Sequence, residues 1–393
     1  MFANSIAKSD ASASNSRDST SVGLVADSAV WKEPKFTLVS ASKLTEEMKA
    51  DWDYLRKSNS SLRSPFHSWQ FIQDAAAIIP DVECLAVQRS GRFIAFFPFE
   101  RRKGDIARPV GAGINDAQGV ICAPEIELDF CQIAVAARLK QYSFHAASPD
   151  LPGLVDCQVG TRTAFLADLD ASPGNFCAYL KQRSRTIAKQ RQKTRRMERE
   201  LGTLHFDFDC DANNLLERML DLKSHQYRRT HTFDILSVRW VRQLLVLLHQ
   251  VREERRSNNS ARGILSVLSA GELPLAMHFG IVEGDLLHYW FPVYNPEHAF
   301  GSPGTELYLR IVQTAEKLGI RYIDFGYGDL PYKHKLTNVK SEMCYGIYDS
   351  RPFRRSIYRA KRFLRGSGKE IRLRNMLKPI ARRVFPSFGK GDF

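Results

Sequence analysis

The chain has 393 residues, 25% of them charged and 44% hydrophobic, with 57 Lys+Arg against 43 Asp+Glu and a formal net charge of +14. That length suggests two to three domains, each able to bury a core, and the composition excludes a wholly disordered, collagenous or repeat-array protein. No apolar run approaches a membrane span, the N-terminus lacks a secretory core, and the seven cysteines stand singly without a CxxC pair. We therefore expect a cytoplasmic protein of a reducing compartment, with neither a disulfide framework nor a metal site.

In chain order, residues 1–33 are rich in Ser, Ala and Asp and read as a disordered leader. Apolar spacing then predicts helices over Leu44–Leu55 and His67–Ile79, the second ended by Pro80. A β-hairpin follows, Val82–Val87 and Phe93–Phe99 around a Ser90–Gly91 turn. Glycines at 104, 111, 113 and 119 mark loops before a helix over Asp129–Lys140 and a strand near Thr163–Asp168. From Tyr179 to Leu201 the pattern predicts one long amphipathic helix. Its basic residues, from Lys181 to Arg199, all lie opposite the apolar arc except Arg183. That face is either simply solvated or meets an anionic substrate or tRNA.

The second half repeats the theme. A strand at Leu204–Phe208 and helices at Asn214–Tyr227 and Val238–Arg255 precede strands at Gly263–Ser269, Pro274–Val282 and Leu286–Val293. Helices followed by a hairpin, twice over, read as a structural duplication: units at 34–172 and 173–350, each a mixed α/β layer with helices on a sheet. Between Arg351 and Lys390 fourteen Lys/Arg face one acid, Glu370, so nearly all the excess charge sits in a tail at 351–393. Apolar residues at spacings of three and four make the tail two basic amphipathic helices. They pack on the protein itself or dock on anionic membrane, with nucleic acid a less favoured partner.

After Leu286–Val293 comes Asn295-Pro-Glu-His-Ala-Phe-Gly-Ser-Pro-Gly-Thr-Glu-Leu, then a helix over Thr305–Leu318, a strand at Tyr322–Phe325, and the glycine loop Gly326-Tyr-Gly-Asp-Leu-Pro-Tyr-Lys before a last strand at Met343–Tyr348. Strand, glycine-rich turn and helix start make an anion-binding arrangement, with unpaired N–H groups expected at Gly304, Thr305 and Glu306. Neither a Walker lysine pattern nor GxGxxG is present, which disfavours NTPase and dinucleotide folds.

This order of elements resembles the GNAT acyltransferase fold, two units in tandem, each a mixed mostly antiparallel sheet flanked by helices. The strings Ser64-Pro-Phe with Trp69, Pro98, Gly111…Asp116-x-x-Gly119, Ser302-Pro-Gly304 and Asp324-Phe-Gly-x-Gly-Asp329-x-x-Tyr-Lys333 resemble the CelD/BcsL-type acetyltransferase family, named for an association with cellulose biosynthesis. That family is similar to the Fem-type peptidoglycan transferases. The resemblance implies acyl-CoA as co-substrate, held by Gly301, Ser302, Gly304 and Thr305. The reading that follows is a saccharide or cell-envelope precursor as acceptor, expected in the cleft between units because ligand sites favour domain interfaces.

Acyl transfer needs a deprotonated nucleophile, a stabilised oxyanion and a protonated leaving thiolate. Lys333 is the candidate for the oxyanion, Asp329 for the base or for orienting Lys333, and His278 for a base facing the acceptor. Tyr294 and Tyr332 are candidate donors to the leaving sulfur, and Asp116 a candidate acceptor-binding carboxylate. Each also has an ordinary structural reading: turn residue, sheet histidine or core packing. Two other readings stay open: an aminoacyl-tRNA-dependent transferase, and a non-catalytic accessory of a polysaccharide-synthesis complex.

Overall fold

The structure, a computed structural model, describes residues 33–351 apart from 172–174. Almost all of the expected leader and basic tail lie outside the described residues. The first half runs β1 (Lys35–Ser40), α1 (Glu46–Ser58), α2 (Trp69–Ile78), β2 (Val82–Arg89), β3 (Arg92–Arg102), β4 (Ile106–Arg108), β5 (Ile121–Cys122), α3 (Phe130–Ala136), β6 (Gln141–Ala147) and β7 (Gln158–Asp168). The second runs α4 (Phe176–Arg183), α5 (Arg185–Ala188), α6 (Gln190–Leu201), β8 (Leu204–Asp207), α7 (Asn213–Arg229), α8 (Arg239–Gln250), α9 (Arg252–Arg256), β9 (Arg262–Ala270), β10 (Leu273–Glu283), β11 (Leu286–Tyr294), α10 (Pro303–Lys317), β12 (Tyr322–Tyr327), α11 (Pro331–Leu336) and β13 (Val339–Asp349).

Local chemistry fixes many of these boundaries. Thr45 caps α1 by accepting from the Met48 N–H, Glu46 and Glu47 sit in its first turn, and Arg56 and Lys57 in its last. Ser68 caps α2. The β2–β3 hairpin turns through Ser90 and Gly91, both at positive φ as a tight twisted hairpin requires.

All the strands join one mixed sheet, in the order β1-β2-β3-β4-β6-β13-β7-β12-β11-β10-β9-β8 with β5 beside β3. The order is close to palindromic. Each half contributes a run of antiparallel neighbours and then a parallel pair, β4 with β6 and β11 with β12. The last strands are exchanged: β13 pairs with β6 of the first half, and β7 pairs with β12 of the second. The fold is two GNAT-like units sharing one sheet. Helices of both halves also share a core, in which Trp52, Phe71 and Ile72 join Leu244, Leu248 and Phe279.

Three expectations need correction. The single basic helix is broken into α4, α5 and α6: Ser184 adopts extended φ/ψ and its hydroxyl accepts from the Ile187 N–H, and Lys189 departs from regular helical geometry with ψ at −1°. The breaks let Leu180, Ile187 and Met197 all reach the same core. The helix expected over Val238–Arg255 divides at Val251 into α8 and α9. The loop expected to run through Lys333 becomes helical at Pro331, whose fixed φ suits a first helical position.

Candidate functional site

β11 and β12 pair only over Leu286–His288 and Tyr322–Asp324. Beyond His288 the register of β11 against β10 shifts, and β12 continues against β7, where Tyr327 pairs with Ala164. Where the parallel strands part there is a cavity of about 360 Å³. Its walls are Tyr289, Pro292, Val293 and Tyr294 of β11, the turn through Ser302 into Gly304 and Thr305 of α10, and Tyr332 and Leu336 of α11. Four tyrosine and proline rings beside a polar turn suit an elongated, largely apolar chain with a charged end.

The turn is braced by the basic segment. Lys193 Nζ donates to Ser302 Oγ at 2.8 Å, Gln190 Nε2 donates to the Gly301 carbonyl at 3.0 Å, and Met197 packs so closely on Gly301 that a Cβ there would collide with it. Ser302 itself is held in the left-handed region, at φ 49°. The expected trio of free N–H groups is corrected here: Thr305 and Glu306 both donate to the Ser302 carbonyl, at 2.9 and 3.2 Å, leaving the Gly304 N–H of the three without a backbone partner. Positive charge at this turn therefore comes from Lys193 as well as the helix end.

Five of the sequence-derived site residues line the cavity: Tyr294, Ser302, Gly304, Thr305 and Tyr332. Gly301 lies behind it, under Met197. Burial and the nearby Asp116 charge push the Tyr332 hydroxyl up to about 12, so it stays protonated at neutral pH. His278 is corrected as a base facing an acceptor. Its ring is fully buried, stacked 4.1 Å from Tyr289 with neither nitrogen hydrogen-bonded, and burial, aided by His288 and Lys223, holds it neutral well below the usual range.

Lys333 is buried, and Nζ donates to the carbonyls of Tyr327 at 2.7 Å and Gly326 at 3.4 Å. Burial lowers its pKa, opposed by the nearby Asp116 and Asp324 carboxylates. Asp329 is corrected as its partner: that carboxylate is exposed and bonds His334 instead, because α11 turns Lys333 inward while Asp329 remains on the preceding turn.

The carboxylates near Lys333 belong to a constellation the sequence reading did not assemble. His288 stands in β11 opposite Asp324 of β12, its Nδ1 3.1 Å from Asp324 Oδ2, and its Nε2 lies 3.5 Å from Asp116 Oδ2. Asp324 also accepts from the Gly326 N–H at 2.8 Å. Burial works to raise Asp324, but His288, the Gly326 N–H and Lys333 outweigh it and hold the carboxyl below its ordinary range. Asp116 goes the other way. Burial raises it, His288 and Lys333 oppose, Asp324 adds to the rise, and it settles at about 6. Gly326, at φ 65°, needs to be glycine twice over: for that φ, and because a Cβ would collide with the Asp116 carboxylate.

Comparison with known proteins follows the same division. Residues 184–334 match the family model described as Acetyltransferase (GNAT) domain. No curated protein matches the chain. Among solved structures, FemX is 11% identical, with 82% of this chain and 100% of that one covered at a TM-score of 0.53. A tandem GNAT protein from the clavulanic acid biosynthesis pathway is 10% identical, with 81% and 99% covered and a TM-score of 0.47. The C-terminal DUF2156 domain of a proposed lysylphosphatidylglycerol synthetase from Agrobacterium fabrum is 14% identical, with 80% and 96% covered and a TM-score of 0.44. The likeness to FemX is one of fold. The family match supplies the chemistry, and on it the chain is an acyltransferase built on the GNAT fold. The match does not reach the narrower cellulose-associated grouping. Among the described residues there is neither a metal-binding cluster nor a helix long and apolar enough to cross a membrane.

Proposed function

We propose that the protein is an acyl-CoA-dependent N- or O-acyltransferase acting on a saccharide or cell-envelope precursor. The observation that carries this reading is the cavity where β11 and β12 part, closed at one end by the lysine-braced turn of Ser302. The acyl thioester would supply an activated carbonyl. Ser302, Gly304 and Thr305, with Lys193, would receive its phosphate end, and Tyr289, Pro292 and Val293 would line the apolar arm. Tyr332 and Tyr294, at 40% and 38% exposure, are reachable hydroxyls for protonating a leaving sulfur. Lys333, with two of its three donors held by carbonyls, would offer a fixed positive charge to the developing oxyanion. The acceptor would enter between the halves. The narrower resemblance supports a polysaccharide acceptor, and the basic tail would hold the enzyme against an anionic membrane on its cytoplasmic face.

Calorimetric titration of the full chain with acetyl-CoA, longer acyl-CoAs and free CoA tests this, with Gly304→Trp as the control for binding elsewhere. Saturable binding that the tryptophan removes is expected. Binding unchanged by the tryptophan would remove the cavity from the reading.

One observation favours a second donor. Arg185, Lys189, Arg191, Arg195 and Arg199 are exposed close in sequence to Lys193, so a large polyanion such as an aminoacyl-tRNA would find charge beside the turn. That reading requires affinity for RNA that falls steeply with salt.

A further inference from the structure

The proposed reaction needs a group that takes the acceptor's proton. Within the GNAT-type segment the His334–Asp329 pair sits exposed on and before α11, whereas the buried His288–Asp324 pair meets open space only through a carboxylate of the other half. Asp116 comes from the other half, from the loop after β4. Its carboxylate is 25% exposed, whereas the His288 ring behind it is 1% exposed, walled by Phe66 at 4.9 Å and Trp290 at 6.0 Å between ring centroids. The chain of contacts thus runs from a buried interior to one open end, Asp324 to His288 to Asp116. We propose that Asp116 is the catalytic base of the acyl transfer, and that His288, fixed by Asp324, is the positioning residue that relays the proton inward.

Three features support the direction of the relay. Asp324 is tied by the Gly326 N–H and stays ionised, so it accepts Nδ1–H and leaves Nε2 facing Asp116. The parallel register places His288 and Asp324 opposite one another, so the pair is set by the sheet rather than by a loop. Asp116 also lies close enough to Tyr227, Tyr327 and Tyr332 for its charge to raise their hydroxyls, and Tyr332 lines the donor cavity. The groups that face Asp116 are therefore His288 from β11, Asp324 and Tyr327 from β12, Lys333 and Tyr332 from α11, and Tyr227 from α7.

In the step itself the acceptor's N–H or O–H bond breaks as its heteroatom bonds the acyl carbon. The proton passes to Asp116 Oδ and on to His288 Nε2, forming an imidazolium that Asp324 stabilises. The acyl C–S bond breaks and the thiolate takes a proton from Tyr332. The proton held on His288 returns through Asp116 and water to the Tyr332 phenolate, so the acceptor's proton ends on the thiol and every group is restored. A carboxylate titrating near 6 is ionised at neutral pH and still basic enough to accept.

The inference rests on the proposed acyl transfer, and the experiment separates the two. The full-length protein, labelled with ¹³C at Asp side-chain carboxyls, is titrated by NMR. One carboxyl should titrate near pH 6 and vanish in Asp116→Asn. The imidazolium that the relay forms at His288 lowers that step, so it should move to higher pH in His288→Gln, which cannot take up the proton, and to lower pH in Asp324→Asn, which removes a charge that raises it. A merely structural histidine would leave the step in place, and an unmoved or absent step overturns the relay. Acetyl-CoA binding is measured in parallel: its absence in wild type, with the step intact, overturns the donor reading and leaves the relay standing. Where acetyl-CoA binds, Asp116→Asn should slow thiol release at least about 100-fold with unchanged affinity. Release at the wild-type rate overturns the base assignment.

Discussion

The ammonium of Lys193 lies 2.8 Å from the hydroxyl of Ser302, so the basic segment and the turn before α10 form one structure. The sequence shows these as separate features more than a hundred residues apart. Their contact gives the basic helix a role beyond solvation, since its inward lysine charges the mouth of the cavity. Lys193→Ala should weaken acetyl-CoA binding about tenfold, the loss of roughly one charge-assisted hydrogen bond. It should also flatten the dependence of affinity on salt. Calorimetry at two ionic strengths measures both, and equal affinities for the two proteins would detach the lysine from the donor.

Gly304 separates space from shape. A Cβ there would stand 3.8 Å from Tyr294, an ordinary contact, so Gly304→Ala should bind acetyl-CoA within a fewfold of wild type. An indole at the same position projects into the cavity. Gly304→Trp should abolish binding while the melting temperature stays within a few degrees, because the position borders open space rather than core. Thermal melting alongside the titration distinguishes a filled cavity from a damaged fold.

Asp116 should be costly to the fold and needed by the reaction. Its pKa is raised on folding from 3.8 to about 6, so its contribution to stability is fully present below about pH 4 and lost as pH rises through 6. At pH 7.5 the buried charge therefore opposes folding, by about 1–2 kcal/mol after allowing for its partial exposure. Asp116→Asn should be more stable than wild type at pH 7.5, and the gain should fade by pH 4. Urea unfolding at the two pH values reads the sign directly. An amide that destabilises at pH 7.5 would show that the carboxylate is a structural tie.

How far the sequence could be read depended on how local each signal was. The hairpins of both halves, with their turns at Ser90–Gly91 and Gly271, follow from alternation and turn chemistry within a dozen residues. The exchange of β7 and β13 does not, since nothing in the alternation of Val339–Asp349 says which distant strand it pairs with. Asp116, Ser302, Gly304 and Lys333 stand in short strings legible in the sequence; the fold sets Ser302 and Gly304 at the cavity and Asp116 beside Lys333. His288 was missed because a histidine within the apolar run Leu286–Val293 looks like core packing, and its partners lie in the other half and on the next strand. Asp329 was misjudged for the opposite reason. It stands near Lys333 in sequence, but α11 turns the two side chains apart. His288 illustrates a detectable pattern in retrospect: a polar residue at a buried strand position, opposite an acid that begins a glycine loop.

The halves are held together by more than the sheet, and one ion pair tests it. Arg255 of α9 donates to both oxygens of Asp74 in α2, at 2.5 and 2.8 Å, and to the Ala261 carbonyl at 3.1 Å, with both side chains about 90% or more buried. Leaving either charge without the other places an uncompensated ion in a low-dielectric interior, and such losses run to about 3–5 kcal/mol. Asp74→Ala and Arg255→Ala should each destabilise the chain by about that much. Replacing both by apolar residues of similar size, Asp74→Leu with Arg255→Met, should recover most of the loss, since the pair's attraction largely offsets its own desolvation. Urea unfolding of the four proteins closes the cycle. The pair lies away from the cavity lining, so the double variant should bind acetyl-CoA as wild type does. A double variant as unstable as the singles would mean that the ion pair itself, rather than the burial of its surroundings, fastens α2 to α9.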